Sequence, residues 1–304
     1  MFKKLFISLL LLLASNMPLP AKCLQSLYSP DRNIRLVINQ EQEHIMATVQ
    51  YQGRTIIPEI RFGVQEQKQT FYGSMKCLGF SEEAAVREQY SAIHGKRSSC
   101  SNIGNAFTMY LENPQKQKLD IEFRVYNDGV CFRYALSENQ SDSLLFINEF
   151  TTYRIHRESD RWMQKYVPHY EGDFPHEKGN VSQGEWGYPA LIRHNGCWAL
   201  LTEANIDRNY CATHLTNTAH SEFYQIAYPH REEGNGVGSI HPATQTPWFS
   251  PWRVIILGEL KNIVESTLVE DVSTPCFLTE TDWILPGSAS CSWPSEDDIS
   301  ANYR

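Results

Sequence analysis

Between positions 169 and 177 the chain gathers residues that could hold an ion: His169, Glu171, Asp173, His176 and Glu177, with Tyr170 among them. Carboxylate oxygens suit calcium, whereas a histidine-rich set suits zinc. In an extended backbone Glu171 and Asp173 face the same side, because side chains alternate across a strand. The same residues also describe a solvated acidic loop. One carboxylate is in any case a poor calcium site, since that ion takes roughly six to eight oxygens. Glu203, in the Thr-Glu-Ala close of Trp198–Ala204, is a second carboxylate of interest. It reads equally as an exposed or capping group. No serine or cysteine has a Gly-x-Ser-x-Gly or comparable nucleophile setting, and the remaining histidines are scattered singly.

The elements that must position these residues read as strands. Ile121, Phe123 and Val125 alternate with Glu122, Arg124 and Tyr126, and Val130, Phe132 and Tyr134 repeat the two-residue period. Asn127-Asp128-Gly129 between them is turn chemistry, with Gly129 expected in the left-handed backbone of a bulged hairpin loop. One face of this ribbon is apolar, so a second sheet must cover it. Alternation recurs over 34–39, 44–51, 107–111 and 144–150, and a Pro-led hairpin spans 188–204. Only Glu82–Tyr90 and Leu260–Leu268 have helical character. The segment from Trp162 to Gly187 is polar, aromatic and poorly periodic, and long irregular segments within a β-domain often carry function. The fold expected is all-β, a large antiparallel β-sandwich.

The 304 residues carry a net charge of −8, which argues against a nucleic-acid surface. Met1–Ala21 reads as a secretory signal: Lys3 and Lys4 precede an apolar run over 5–14, too short to span a bilayer. Export to a periplasm or beyond follows. Lipid attachment at Cys23 is a second option, poorly matched because Lys22 precedes the cysteine. No other stretch is apolar enough to cross a membrane. Eight cysteines include no Cys-x-x-Cys. Cys77 with Cys100, and Cys197 with Cys211, are candidate disulfides, and unpaired buried cysteines fit as well.

Several stretches resemble the N-terminal domain of glycoside hydrolase family 97. They are Arg124-Val125-Tyr126-Asn127-Asp128-Gly129 with Phe132-Arg133-Tyr134, the Ser29-Pro30-Asp31 opening, and Thr202-Glu203-Ala204. Pro251-Trp252-Arg253 and Trp283-Ile284-Leu285-Pro286-Gly287 complete the set. The resemblance implies an exo-acting enzyme that removes terminal α-glucosyl or α-galactosyl residues from an α-linked oligosaccharide. It divides the chain into a signal (1–21), a β-sandwich domain (24–280), and a linker with the truncated first strand of a (β/α)8 barrel (281–304). A barrel of about 250 residues does not fit into that tail. Hydrolysis of a glycosidic bond needs two carboxyl groups flanking it. In the family these lie on the barrel, so no catalytic residue is assigned in this chain.

The resemblance also implies a calcium ion with one glutamate from an N-domain loop. Glu171 matches that loop by its place after Trp162 and Val167-Pro168, with Glu177 as fallback. Tyr170 and Glu203 then become candidates for the substrate or domain interface. The isolated chain is expected to be inactive, with a barrel missing or encoded separately. The other readings are a stand-alone carbohydrate-binding or scaffold module and a non-functional truncated remnant.

Overall fold

The computed structural model describes residues 22–288, save 138–142, 168, 180 and 234–236. The expected signal and the tail from 289 onward, with Cys291 and Trp293, lie outside the described residues. Two large antiparallel sheets dominate, so the β-sandwich expected from the alternation is what the chain builds.

The first sheet runs Lys22–Tyr28, Ile34–Glu41, His44–Tyr51, Arg54–Arg61, Thr152–Arg154, Phe223–Ala227, His214–Asn217, Gly184–Trp186. The second runs His176–Glu177, Asp160–Trp162, Ala190–His194, Cys197–Ala204, Trp252–Gly258, Gly129–Leu136, Lys118–Tyr126, Ser99–Glu112, Lys76–Phe80. A small third sheet joins Ala243–Thr244, Leu144–Glu149, Val64–Glu66 and Gln69–Phe71.

Lys118–Tyr126 and Gly129–Leu136 form the expected hairpin, with Val125 opposite Val130 and Phe123 opposite Phe132. Phe123, Phe132 and Tyr134 are sealed in the core, where Phe62, just past the end of the first-sheet strand Arg54–Arg61, meets both phenylalanine rings edge-on. Burying such side chains is worth about 1.5–3 kcal/mol each, so this contact holds the two layers together.

Gly129 departs from its expected role. Its backbone is not left-handed, and only Asn127 and Asp128 intervene between the paired Tyr126 and Gly129. Packing explains the glycine instead: a Cβ there would lie 2.5 Å from both the Ile255 carbonyl oxygen and Leu268 Cδ2.

The second sheet is also covered on its outer side. Tyr126, Cys131, Trp252, Val254 and Ile256 pack beneath the helices Leu260–Glu265 and Leu268–Asp271, through Ile263, Leu268 and Val272. Asp271 ties this cover down, accepting from Tyr90 Oη at 2.9 Å and Asn102 Nδ2 at 2.8 Å. The helical reading of Leu260–Leu268 thus holds, with a break at Ser266-Thr267.

The helical reading of Glu82–Tyr90 does not hold. Ala84–Ser91 is a strand, paired residue for residue with Ser99–Glu112 from Ala84↔Ala106 to Ser91↔Ser99. Among the described residues seven cysteines are free, including all four in the candidate pairs. No helix among the described residues is long and apolar enough to cross a membrane.

Candidate functional site

The strand Cys197–Ala204 places Glu203 directly opposite Arg253 of Trp252–Gly258. The inward face of that register carries both side chains into the interior. Arg253 is fully buried and its guanidinium is shared. Nε and Nη2 donate to the two oxygens of Glu149 at 3.0 and 2.5 Å, while Nη1 donates to Glu203 Oε2.

Further donors saturate both carboxylates. Glu149 accepts from Thr151 Oγ1 at 2.8 Å and Tyr210 Oη at 2.8 Å. Glu203 accepts from the Thr213 backbone N–H at 2.8 Å and Thr213 Oγ1 at 2.7 Å. Burial pushes the Glu203 carboxyl up, against the downward pull of Arg253 and Thr213. Burial likewise opposes the charge on Arg253, yet Glu149 and Glu203 outweigh it and hold the guanidinium well above its ordinary value. This is a fork-shaped cation clamped by two anions, the geometry arginine is built for. Every oxygen of the two carboxylates accepts at least one hydrogen bond, so the cluster acts as a clasp between the strands that carry it.

The loop singled out in the sequence lies elsewhere. Glu171 and Asp173 are exposed and Glu177 is half-buried. Glu177 sits on a two-residue strand opposite Arg161, and His176 pairs with Trp162. The His176 ring stacks on Trp162 at 4.8 Å and its Nε2 meets Asp160 Oδ1 at 2.9 Å. That bond is the main cause holding the Asp160 carboxyl below its ordinary value. His169 Nδ1 accepts the Glu171 backbone N–H at 3.0 Å. Among the described residues, Glu171, Asp173, Glu177, His169 and His176 do not converge on one point. A single exposed Glu171 fits calcium only if oxygens from outside these residues complete the shell.

Tyr170 belongs to a different network. Its ring meets Tyr166 edge-on at 5.8 Å, and Tyr166 stacks on His214 at 3.9 Å. His214 follows Thr213, the residue that grips Glu203. Two positions singled out separately, Tyr170 and Glu203, are therefore joined through Tyr166, His214 and Thr213. Tyr166 Oη donates to Glu233 at 2.6 Å, and burial with Glu233 raises the phenol. Among the described residues, Glu185, His214 and His230 are the set whose ligand atoms lie close enough to hold an ion. Sequence reading missed this set and Arg253's partner Glu149, since their positions are far apart in the chain and no local motif marks them.

Beyond Glu203 the chain reaches a polar cleft of about 530 Å³, bounded by Arg133, Asn205, Asp207, Asn209, Trp248 and Phe249. Arg133 lies over the faces of Phe249 and Trp252 at 4.2 and 4.4 Å. Mixed aromatic and hydrogen-bonding walls of this size are suited to small polar molecules.

An antiparallel sandwich braced by a buried ion-pair cluster, with a polar cleft beside it, is the class of domain that the described residues define. Residues 27–275 match the family model described as Glycosyl-hydrolase 97 N-terminal, so the chain belongs to glycoside hydrolase family 97 through that domain. A probable retaining alpha-galactosidase of Streptomyces bingchenggensis is 25% identical over 79% of this chain and 36% of its own length. A retaining alpha-galactosidase of Bacteroides thetaiotaomicron is 21% identical over 94% of this chain and 46% of its own. The crystal structure of a beta-arabinopyranosidase superposes with a TM-score of 0.79 at 28% identity, covering 85% of this chain and 44% of that one. A family 97 enzyme from Pseudoalteromonas sp. strain K8, in complex with acarbose, shares the fold with a TM-score of 0.74 at 20% identity, over 86% and 40%. The chain spans less than half the length of these relatives.

Proposed function

We propose that this chain is the N-terminal domain of a calcium-dependent, exo-acting α-glycosidase, contributing carbohydrate contacts and completing an active site whose catalytic carboxylates stand on a (β/α)8 barrel. The observation that carries the reading is the match of residues 27–275 to the N-terminal domain of the family. The α-galactosidase names of two relatives support an α-linked galactoside as substrate, with an α-glucoside the alternative that the family resemblance implies. The chain is an exported protein on the strength of its apolar leader, acting in the periplasm or outside the cell.

On its own the chain does not hydrolyse glycosides. The buried carboxylates Glu149 and Glu203 are both committed to Arg253, so neither can serve as acid, base or nucleophile. Calcium is held jointly: Glu171 offers one carboxylate from its exposed loop, and the remaining oxygens come from the barrel. The calcium supplies charge and a fixed anchor at the shared face. Tyr170 lies at the same face, while Glu203 fixes the position of Thr213 behind it. The polar cleft beside Arg133 and Asn205 offers the hydrogen bonds and aromatic faces that a sugar needs.

The test is hydrolysis of p-nitrophenyl α-galactoside and α-glucoside by the full chain with calcium, alone and mixed with a family 97 barrel supplied as a separate polypeptide. The expected result is no turnover alone and calcium-dependent turnover in the mixture above that of the barrel by itself. Turnover by the chain alone would overturn the assignment of catalysis to the barrel. Sugar binding by the chain, with no effect on the barrel, would favour a stand-alone binding module.

A further inference from the structure

The edge of the first sheet assembles a metal-binding geometry from three residues that the sequence keeps apart. Gly184–Trp186 pairs with His214–Asn217, which sets Glu185 opposite Thr216, two residues along the strand from His214 and on the same face. On the other side His214 pairs with Ala227, and the chain beyond Ala227 turns to bring His230 to the same spot. Glu185 Oε2 lies 2.9 Å from His230 Nε2, and Glu185 Oε1 lies 3.6 Å from His214 Nε2. The three ligand atoms all fall within 4.8 Å of one another.

A second observation points to a ligand here. The His214 side chain is 1% exposed, yet among the described residues neither ring nitrogen makes a hydrogen bond, Nε2 reaching Glu185 Oε1 only at 3.6 Å. Buried polar atoms are nearly always satisfied, so an orphaned imidazole aimed at a carboxylate and a second imidazole calls for a missing partner. The ring is held in place by Tyr166, stacked at 3.9 Å and 11°, with His230 on its other neighbour contact at 5.5 Å. Glu233 in turn accepts the backbone N–H of His230 at 2.7 Å and the Tyr166 hydroxyl, so the ligands are braced from behind.

We propose that Glu185, His214 and His230 bind a divalent transition ion of the zinc class, through His214 Nε2, His230 Nε2 and a Glu185 oxygen. Tetrahedral ligands about 2.0–2.1 Å from zinc stand roughly 3.4 Å apart; here Glu185 Oε2 approaches His230 Nε2 to 2.9 Å, Oε1 approaches His214 Nε2 to 3.6 Å, and one ligand atom from each residue lies within 4.8 Å of the others. Two imidazoles and one carboxylate suit zinc, copper or nickel and not calcium, which prefers oxygen throughout. The solvent-facing flank of Glu185 and His230 leaves the fourth position to water or an incoming group. The site uses none of the residues assigned to calcium, so it stands or falls independently of that reading.

Calorimetric titration of the full chain, stripped of metal, with zinc and separately with calcium tests it, alongside thermal unfolding and cobalt absorption spectra. We expect one zinc per chain, a zinc-dependent rise in the unfolding midpoint, and cobalt bands without thiolate charge transfer. His230→Ala and Glu185→Gln, both at partly exposed positions, should each weaken zinc binding by about tenfold or more while leaving the metal-free midpoint unchanged. No saturable zinc binding would overturn the proposal. So would unchanged affinity in both variants, or cobalt spectra dominated by cysteine thiolate.

Discussion

Two sets of acidic residues in this molecule behave in opposite ways. Glu149 and Glu203 lie in the interior and share Arg253, with every oxygen engaged by a donor. Glu171 and Asp173 lie on an open loop whose carboxylates keep their water. The interior pair shows what a buried charge demands: an opposite charge in fork geometry plus hydroxyl and backbone donors for the remaining lone pairs. The loop shows what function leaves possible, since a solvated carboxylate can change partners at little energetic penalty. Carboxylates of the first kind fix the sandwich, and those of the second kind remain available to a metal or a neighbouring domain.

The largest effect expected on this contrast comes from Arg253→Met. It leaves two buried carboxylates without their cation, and breaking a buried ion pair in this way costs about 3–5 kcal/mol. Urea unfolding should show a midpoint shift of that size or failure to fold. A shift under about 1 kcal/mol would mean that water reaches the pair and that the interior is not sealed. Tyr210→Phe is the milder version. It deletes the hydroxyl that donates to Glu149 and also meets Tyr228 Oη at 2.7 Å. A loss of about 1–3 kcal/mol is expected, because the acceptors are charged or buried.

How much of this contrast was legible in the sequence depends on the range of the cause. The hairpin 118–136 announces itself through strict alternation and turn residues, both local. Ala84–Ser91 does not: Glu, Ala and Arg favour a helix locally, and its alternation is carried by partly buried Val86 and Tyr90. Continuous pairing with the long strand Ser99–Glu112 overrides that propensity. Glu203 and Arg253 were visible as members of separate motifs, but their meeting depends on strand neighbours 50 residues apart. His214 and His230 looked like isolated histidines, because only the sheet edge unites them with Glu185. Tertiary neighbours cannot be counted from one-dimensional spacing, and that is where site reading stopped.

Between sealed and open stands His194, whose ring packs at 4.9 Å from His156 and whose Nδ1 meets Ser159 Oγ at 3.2 Å. Burial, reinforced by the charge of His156, lowers its value from 6.5. In the unfolded chain it protonates near 6.5, so below that pH the unfolded state binds more protons than the folded one. The stability from this group is complete above about pH 6.5 and is lost as pH falls through the lower folded value. Urea midpoints at about pH 7.5 and about pH 5.5 should therefore differ less in His194→Asn than in the parent chain. An unchanged difference would show that His194 is as free as an exposed loop histidine.

The smallest expected effect is the one that most sharpens the contrast. Glu171→Ala removes an exposed carboxylate with no ion-pair partner among the described residues, so folding stability should change by no more than about 0.5 kcal/mol. If Glu171 lends an oxygen to a calcium ion shared with a barrel, the same substitution should raise the calcium concentration needed for half-maximal activity of the chain–barrel mixture, with unfolding unchanged. Glu203→Gln provides the opposite pattern, because it weakens the clasp on Arg253 and Thr213 and should lower stability whether or not calcium is present. If Glu203→Gln also moves the calcium requirement while Glu171→Ala does not, the metal is read by the strand end behind Thr213 and not by the loop. That result would transfer the functional role from the open carboxylate to the buried one, and would make the ion pair with Arg253 a resting state that calcium displaces.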